Sequence, residues 1–244
     1  MNKKHLDQII ANYIDKFAYL NEPEPGHNES YKWRIAKQFR PMMDAALAGS
    51  DENLPKALYD LRIFTQNMID STTLPLTALS EFAKYEPATV RQMFLNLFSE
   101  DDNNLSIRMT KIVDFLESEA ELRKKYTPTS WKYKNSVHSV TCYQTLYDPD
   151  NNYILKPSQS EEFAKCIEFY DSWGTGTSTK LDVFYRMCDQ TAEYLESNDS
   201  LMKTHNSRYG LFPSESLHPD LAHHILVYDI IYCCSEKHTI FIMG

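Results

Sequence analysis

Apolar residues recur at helical spacing in the stretch EPATVRQMFLNLFSE, and this spacing is the strongest constraint on the fold. The residues of the stripe are Val90, Met93, Phe94, Leu97 and Phe98. They fall on one side of a helix with 3.6 residues per turn. Pro87 stands in the first turn, where proline is tolerated because its missing amide would have no partner. Residues 105–120 repeat the pattern, so the sequence predicts two core helices here.

The residues before this stripe predict further helices. Residues 4–20 carry isoleucine and aromatic side chains at helical spacing, and the proline-rich NEPEPGHNES ends that helix. YKWRIAKQF begins the next one, in which Pro41 predicts a kink or a break because it removes a backbone hydrogen bond. Residues 54–70 and 75–85 continue the pattern. We therefore expect residues 1–130 to form a helical region.

The sequence changes character at Ser136. SVHSVTCYQTLY is rich in valine, threonine and tyrosine, DPDNN supplies turn formers, and YILK follows as a short apolar run. This order predicts a β-hairpin over residues 136–156, so the expected fold class is α+β and mostly helical. We expect residues 131–244 to form a small α+β region, either as a separate domain or as part of one continuous domain.

Two helices and an apolar tail are predicted to follow the hairpin. Ser158 and Glu161 match the S-x-x-E capping box, which predicts a helix through Tyr170. Residues 181–195 carry the next apolar stripe. The run HHILVYDIIYCC has no period, so a buried helix and a strand are both open. The final TIFIMG is typical of a strand.

The composition excludes several classes of protein. A chain of 244 residues with 42% hydrophobic and 24% charged residues buries a sizeable core and is not disordered. The net charge of -9 argues against indiscriminate binding to phosphates, although local basic patches stay open. We expect neither an export signal nor a membrane helix, because no apolar run approaches roughly 20 residues. Five cysteines, an odd number, fit reduced thiols in a cytoplasmic protein.

Common catalytic and metal-binding patterns are missing from the sequence. It contains no G-x-S-x-G elbow, no H-E-x-x-H and no G-x-G-x-x-G after a strand. Cys234 and His238 have the spacing of half a zinc site, but no second half accompanies them. On the predicted strand, His138 and Cys142 would lie about 13 Å apart, too far for a nucleophile pair. We therefore expect no catalytic residue, no metal and no cofactor, and favour a role other than that of an enzyme.

The stretch SWGTGTSTKLD raises the question of a phosphate-binding loop. A P-loop needs G-x-x-x-x-G-K-[ST] after a strand, whereas here Thr179 precedes the lysine, Leu181 follows it and a helix comes before the loop. The free amides at a helix start still favour anions. The anion-binding candidates are Gly174, Gly176, Thr177, Ser178 and Lys180. A plain capped connection between two helices is the alternative.

Basic and aromatic residues alternate in RKKYTPTSWKYKN. This composition is typical of surfaces that stack bases on aromatic rings and neutralise phosphates with basic side chains. The alternative is a solvated helix end, with Trp131 closing the core. We call the candidate nucleic-acid-binding residues the basic-aromatic segment; they are Arg123, Lys124, Lys125, Tyr126, Trp131, Lys132, Tyr133 and Lys134.

Four longer stretches together resemble one known family. The accessory N-terminal region of bacterial McrB-like AAA+ restriction proteins is similar to this chain in YKWRIAKQF, PATVRQMFLNLFSEDDNNLSIRMTKIVDF, SVTCYQTLYDPDNNYILKPSQSEEFAKCI and HHILVYDIIYC, over roughly residues 10–235. The resemblance implies a region that precedes a nucleotide-hydrolysing motor and recognises a DNA target, often modified or foreign, while a partner subunit cuts. It implies no catalytic residue here. The matching motif positions are Tyr31, Trp33, Tyr147, Tyr153, Lys156 and Phe163.

Three hypotheses about function follow from these observations. The favoured one is a cytoplasmic, non-catalytic recognition module of a restriction-like defence system, which binds DNA or RNA through the basic-aromatic segment. The second is a protein-interaction module that docks a AAA+ motor or a nuclease subunit. Because the sequence lacks a P-loop, we expect any such motor to be missing or to belong to another polypeptide. The third is a nucleotide- or phosphate-binding enzyme that uses residues 173–180.

Overall fold

Helices are the only regular elements in the part of the chain that the structure, a computed structural model, describes: residues 1–21, 28–65, 68–69, 73–128, 131–213 and 216–234. The α-helices are α1 (Lys3–Leu20), α2 (Tyr31–Ala48), α3 (Leu54–Thr65), α4 (Pro75–Ala83), α5 (Pro87–Leu97), α6 (Leu105–Tyr126), α7 (Val137–Tyr147), α8 (Pro157–Cys166), α9 (Leu181–Glu196), α10 (Asp199–Ser207) and α11 (His224–Cys233). Two short 3₁₀ helices cover Gly176–Ser178 and Arg208–Leu211. None of the described helices is both long and apolar enough to cross a membrane.

The chain forms two compact units whose segments alternate along the sequence. Unit 1 contains Met1–Lys37, Pro149–Trp173 and Asp182–Gly244. Unit 2 contains Gln38–Asp148 and Gly174–Leu181. The division into residues 1–130 and 131–244 stays a prediction.

The predicted β-hairpin over residues 136–156 is wrong, and the α+β fold class is wrong with it. Helix α7 occupies Val137–Tyr147, and residues 153–156 have no regular structure and no partner strand among the described residues. The described chain is therefore all-helical.

Side chains at the start of α7 explain why a stretch rich in valine and threonine is helical. Ser136 Oγ accepts the amide of Ser139, and Ser139 Oγ accepts the amide of Ser136, which completes a capping box. Thr141 and Thr145 donate their hydroxyls to carbonyl groups one turn earlier in the helix. Almost all of α7 is buried, so the stretch shows no helical period. Strand preference mainly reflects side-chain packing, and here the packing around a buried helix outweighs it.

The structure also bears on the predictions for the apolar run near the C-terminus, for Pro41 and for the start of α8. The apolar run near the C-terminus is the helix α11, buried along most of its length, whereas TIFIMG lies outside the described residues. Helix α2 continues through Pro41, so no break occurs there. Helix α8 has Lys156 as its N-cap without a side-chain cap, so the predicted capping box of Ser158 and Glu161 does not form.

Aromatic rings fill the core of unit 2. Phe94 on α5 is fully buried, and its ring centroid lies 5.3 Å from that of Phe115 on α6 and 5.6 Å from that of Tyr143 on α7. Both contacts are edge to face, the arrangement that aromatic quadrupoles favour. The predicted stripe is confirmed, because its residues on α5 are all buried.

A network of buried charges lies in unit 1. Lys32 Nζ lies 2.5 Å from Asp229 Oδ1 and 2.8 Å from Glu29 Oε2. Asp229 Oδ2 accepts a hydrogen bond from the Tyr13 hydroxyl at 2.5 Å, and Arg208 donates to the same hydroxyl at 2.8 Å. The network thereby joins α1, α2 and α11 to the 3₁₀ helix that contains Arg208.

The electrostatics of this network keep Lys32 charged although it is fully buried. Burial alone would lower the pKa of Lys32, but the carboxylates of Asp229 and Glu29 outweigh burial and hold that pKa well above its usual value. Burial raises the pKa of the Tyr13 hydroxyl, which therefore keeps the proton that it donates to Asp229. Two cations and two carboxylates thus compensate one another, and of the four side chains only that of Glu29 is partly exposed.

We expect Asp229→Asn to destabilise the protein strongly. The substitution removes a carboxylate that faces both Lys32 and Arg208, and removing one partner of a buried ion pair costs about 3–5 kcal/mol. Chemical denaturation followed by circular dichroism measures the free energy of unfolding. The matched control is Asp15→Asn, which breaks an exposed pair with Lys16 on α1 and should cost at most about 1 kcal/mol. Equal losses in the two variants would contradict this account of the network.

Candidate nucleic-acid interface

The first part of the basic-aromatic segment lies at the C-terminal end of α6. Arg123, Lys124 and Lys125 occupy the last turn of that helix, where positive charge interacts favourably with the helix dipole. Lys124 and Lys125 are exposed, whereas Arg123 is half-buried. The position of these residues is therefore explained in part by the stability of the helix itself.

Carboxylates already face two of these lysines. Lys124 Nζ lies 2.5 Å from a carboxylate oxygen of Glu121, one turn earlier on α6. Lys125 pairs with Glu86, which also accepts the Tyr126 hydroxyl at 2.7 Å. The hydrogen bonds from Lys125, Tyr126 and Thr89 lower the pKa of Glu86 to about 2, so this carboxylate is ionised at neutral pH. A phosphate at either lysine would have to compete with an acidic side chain.

A pair of stacked tyrosines lies beside these lysines. The rings of Tyr85 and Tyr126 are nearly parallel, with 9° between their planes and 4.7 Å between their centroids. Tyr85 is 59% exposed, whereas Tyr126 is half-buried. Tyr85 was missed by the sequence analysis, because 40 intervening residues separate it from Tyr126 and no local pattern connects them. The pair presents a preformed aromatic surface.

The second part of the segment packs near the end of α4. Trp131 is half-buried, with its ring centroid 6.0 Å from that of Phe82 and 5.7 Å from that of Tyr133. Phe82 lies three residues before Tyr85, so these contacts bring the second part of the segment towards the tyrosine pair. Trp131 thus packs against the buried Phe82, and Tyr133 is half-buried against Trp131. Base stacking by these two rings stays a prediction.

Lys132 and Lys134 differ from the lysines on α6 in their electrostatic environment. Both are exposed, and neither has a carboxylate within ion-pair distance among the residues that the structure describes. The backbone amide of Lys134 donates to the Thr73 carbonyl at 3.1 Å, which fixes the chain at this point. These two side chains are consequently the cations of the segment that are most available to a phosphate group.

A groove lies along α6 beside the tyrosine pair. Its volume is about 550 Å³, and it presents both lysines and glutamates. The lining residues are Glu86, Thr89, Ser118, Glu121, Leu122, Lys124 and Lys125. The mixture of charges means that the groove is not a simple anion site.

The loop that contains the anion-binding candidates is closed by its own hydrogen bonds. Ser178 donates its hydroxyl to the Thr175 carbonyl at 2.8 Å, and Thr179 donates to the Gly176 carbonyl at 2.7 Å. Gly174 and Gly176 have φ angles of 74° and 56°, which glycine adopts without strain. Lys180 is exposed at the end of the loop, and Thr177 is also exposed. The hydroxyls thus stabilise the turn, and anion binding stays a prediction.

The remaining candidate side chains are the possible half zinc site of Cys234 and His238 and the pair of His138 and Cys142. No group of three or more His, Cys, Asp or Glu residues suited to a metal ion occurs in the described ranges, and His238 lies outside them. His138 and Cys142 lie on α7 instead of a strand, with 3.6 Å between Nδ1 and Sγ, but Cys142 is fully buried. No model of a protein family matches the chain, and comparisons with curated proteins and with solved structures return no match.

A buried glutamate of unit 2 interacts electrostatically with Arg123 and Lys134 of the basic-aromatic segment. Glu119 on α6 is 2% exposed, and one of its carboxylate oxygens has no hydrogen-bond partner among the described residues. Burial raises its pKa from 4.5 to about 7, against the opposing effects of Arg123 and of hydrogen bonds from Asn135. Below about pH 7 the folded state therefore holds this carboxyl group mainly in its protonated form.

We expect Glu119→Gln to stabilise the protein at alkaline pH. Between pH 4.5 and 7 the carboxyl group of the unfolded chain loses its proton first, so the folded state binds more protons and its stability falls as the pH rises. An amide cannot ionise, so the variant should gain up to about 3 kcal/mol over the wild type at pH 8, by 1.36 kcal/mol for each pKa unit. That gain should vanish at pH 4.

Denaturation at both pH values measures this difference. Glu117→Gln, which changes an exposed carboxylate on the same helix, controls for the loss of one negative charge. A difference between Glu119→Gln and the wild type that is the same at pH 4 and pH 8 would show that Glu119 does not titrate in this way.

Proposed function

We propose that this chain is a non-catalytic recognition module of a restriction-like defence system, acts in the cytoplasm and binds single-stranded nucleic acid at unit 2. The observation that carries the proposal is the parallel stack of Tyr85 on Tyr126, with Tyr85 exposed beside the lysines of the basic-aromatic segment. Aromatic rings next to basic side chains are the recurring means by which proteins hold unpaired bases.

The tyrosine pair favours a single strand over a duplex. A base in a duplex has both faces covered by its neighbours, whereas an unpaired base offers a free face to an aromatic ring. Tyr126 holds Tyr85 from one side, so little side-chain freedom is lost when a base stacks on the exposed ring. The pair is therefore preorganised for one base.

The charges of the basic-aromatic segment limit how much phosphate contacts contribute to the affinity for nucleic acid. Lys124 and Lys125 are paired with Glu121 and Glu86, which leaves Lys132 and Lys134 as the lysines without a described ion pair. The net charge of -9 adds long-range repulsion of a polyanion. Stacking must consequently supply a large share of the affinity, and binding at physiological salt should be modest.

The resemblance to McrB-like accessory regions supports the biological context. In that family the region works beside a AAA+ motor and a nuclease subunit. The motor hydrolyses the nucleotide and the nuclease subunit cuts the DNA, so the accessory region itself needs no catalytic residue. Docking of such a subunit is the second candidate function. The groove along α6 favours it, because a surface with both lysines and glutamates complements a polar protein surface better than it complements a polyanion.

We expect Tyr85→Ala to weaken binding of a fluorescein-labelled single-stranded oligonucleotide by about 5- to 150-fold, since base stacking contributes about 1–3 kcal/mol per ring. Fluorescence anisotropy at low salt measures the affinity. The matched control is Tyr59→Ala on α3, which removes another exposed tyrosine of unit 2 and should leave binding unchanged. Wild-type protein that binds no DNA or RNA at low salt would instead favour subunit docking.

Lys132 and Lys134 should account for the salt dependence of binding. Each phosphate neutralised on a single strand contributes about -0.7 to the slope of log K against log salt, so two lysines predict a slope near -1.4. We expect Lys132→Ala combined with Lys134→Ala to flatten the slope towards zero. The control is Lys56→Ala on α3, an exposed lysine that pairs with Asp60. A slope that the double variant leaves unchanged would place the phosphate contacts elsewhere.

A further inference from the structure

A stack of planar side chains in unit 2 leads from the core to the surface. Phe94 is fully buried, and the ring of Phe98, the C-cap of α5, stacks on it with 5.8 Å between the centroids. The Tyr147 ring lies 3.9 Å from that of Phe98, with 4° between the two planes, and Arg40 Cζ lies 4.7 Å from the centroid of the Tyr147 ring. Because Phe98 already occupies one face of Tyr147, the guanidinium group of Arg40 covers the other face.

Arg40 is the exposed end of this stack. Its side chain is 58% exposed, whereas Phe98 and Tyr147 are half-buried. Asp44, one turn later on α2, accepts the Tyr147 hydroxyl at 2.7 Å, and its other carboxylate oxygen lies 3.9 Å from Arg40 Nε. This carboxylate holds Tyr147 in position and offsets part of the positive charge of Arg40. The guanidinium group therefore offers a ligand mainly its outer planar face.

We propose that the guanidinium group of Arg40 is a second stacking site for an unpaired base, and that one nucleic-acid strand contacts both Arg40 and Tyr85. The inference rests on the proposed function, because it extends the same single-stranded ligand along unit 2. Unpaired bases stack on arginine guanidinium planes as well as on aromatic rings. The contacts of Arg40 with Tyr147 and Asp44 restrict its side chain before a base binds, which lowers the entropic cost of binding.

Helix α5 sets the distance between the two stacking sites. Tyr85 lies two residues before the first residue of α5, and Phe98 directly follows its last residue. The helix has 11 residues, so its two ends are about 16 Å apart at a rise of about 1.5 Å per residue. At the roughly 3.4 Å spacing of stacked nucleotides along one strand, about five steps cover this distance. A strand longer than this can therefore contact both sites, and the base on Arg40 adds affinity by stacking instead of by further phosphate contacts.

The test compares labelled oligothymidylates of three and of twelve nucleotides by fluorescence anisotropy with the full chain. We expect Arg40→Lys to weaken binding of the longer strand by about 5- to 150-fold, because lysine keeps the charge but has no planar group on which a base can stack. Binding of the shorter strand, which cannot contact both sites, should weaken by at most about twofold, because Tyr85 still holds it. The matched control is Arg186→Lys in unit 1, which changes another exposed arginine that lies over an aromatic ring and pairs with a carboxylate. This control should leave the binding of both strands unchanged.

The outcomes separate this inference from the proposed function. If Tyr85→Ala weakens binding of the longer strand and Arg40→Lys does not, the second site is wrong and the proposed function stands. Equal losses for the two strand lengths in Arg40→Lys would also overturn the inference, because Arg40 would then not be a second contact of one strand. The wild-type protein gives an answer even if a variant does not fold: its affinity should rise from the shorter to the longer strand by more than the roughly tenfold that additional binding registers provide, and a smaller rise would contradict two linked sites. Wild-type protein that binds neither strand would overturn both the inference and the proposed function.

Discussion

The ion pair between Lys32 and Asp229 is the constraint on which the arrangement of unit 1 depends. Apolar side chains tolerate small shifts between helices. A shift that separates a buried charge from its partner is strongly unfavourable, because the charge is then neither paired nor hydrated. Asp229 must therefore face Lys32, while the Tyr13 hydroxyl and Arg208 must reach the same carboxylate. These contacts fix the axial positions of α1, α2 and α11 relative to one another within the unit. We infer that the network contributes more to the register of these helices than to the free energy of unfolding.

The charges of unit 2 follow a different principle, because most of them are exposed. Lys124 with Glu121 and Lys125 with Glu86 are surface pairs that water and salt screen, so they stabilise the fold little. Their main effect is to weaken phosphate binding, because each acidic partner reduces the positive potential around its lysine. The basic composition of the segment therefore overstates its electrostatic attraction for nucleic acid.

The sequence analysis predicted helices where burial is one-sided. Where a helix is buried all round, it either predicted a strand, as for α7, or left helix and strand both open, as for α11. α5 shows its period because one side faces solvent, whereas α7 and α11 are buried almost all round and their sequences show no helical period. Contacts between distant residues gave no signal either. Lys32 and Asp229 are 197 positions apart, and Lys125 and Glu86 are 39 apart, so neither pair leaves a local pattern. The composition of the basic-aromatic segment was visible, but Tyr85 and the paired state of its lysines were not.

The distribution of paired and unpaired charges bears on which ligand the proposed module would select. A protein that binds through many phosphate contacts holds any strand, because the backbone carries no sequence information. Because Lys132 and Lys134 are the lysines of the basic-aromatic segment that have no described ion pair, most discrimination would depend on the base that stacks on Tyr85. The proposed function implies modified or foreign DNA as the target, and a chemical group on a base is best read once the base has left the duplex stack. Few phosphate contacts and one preformed stacking surface are together what such selective recognition of a base requires.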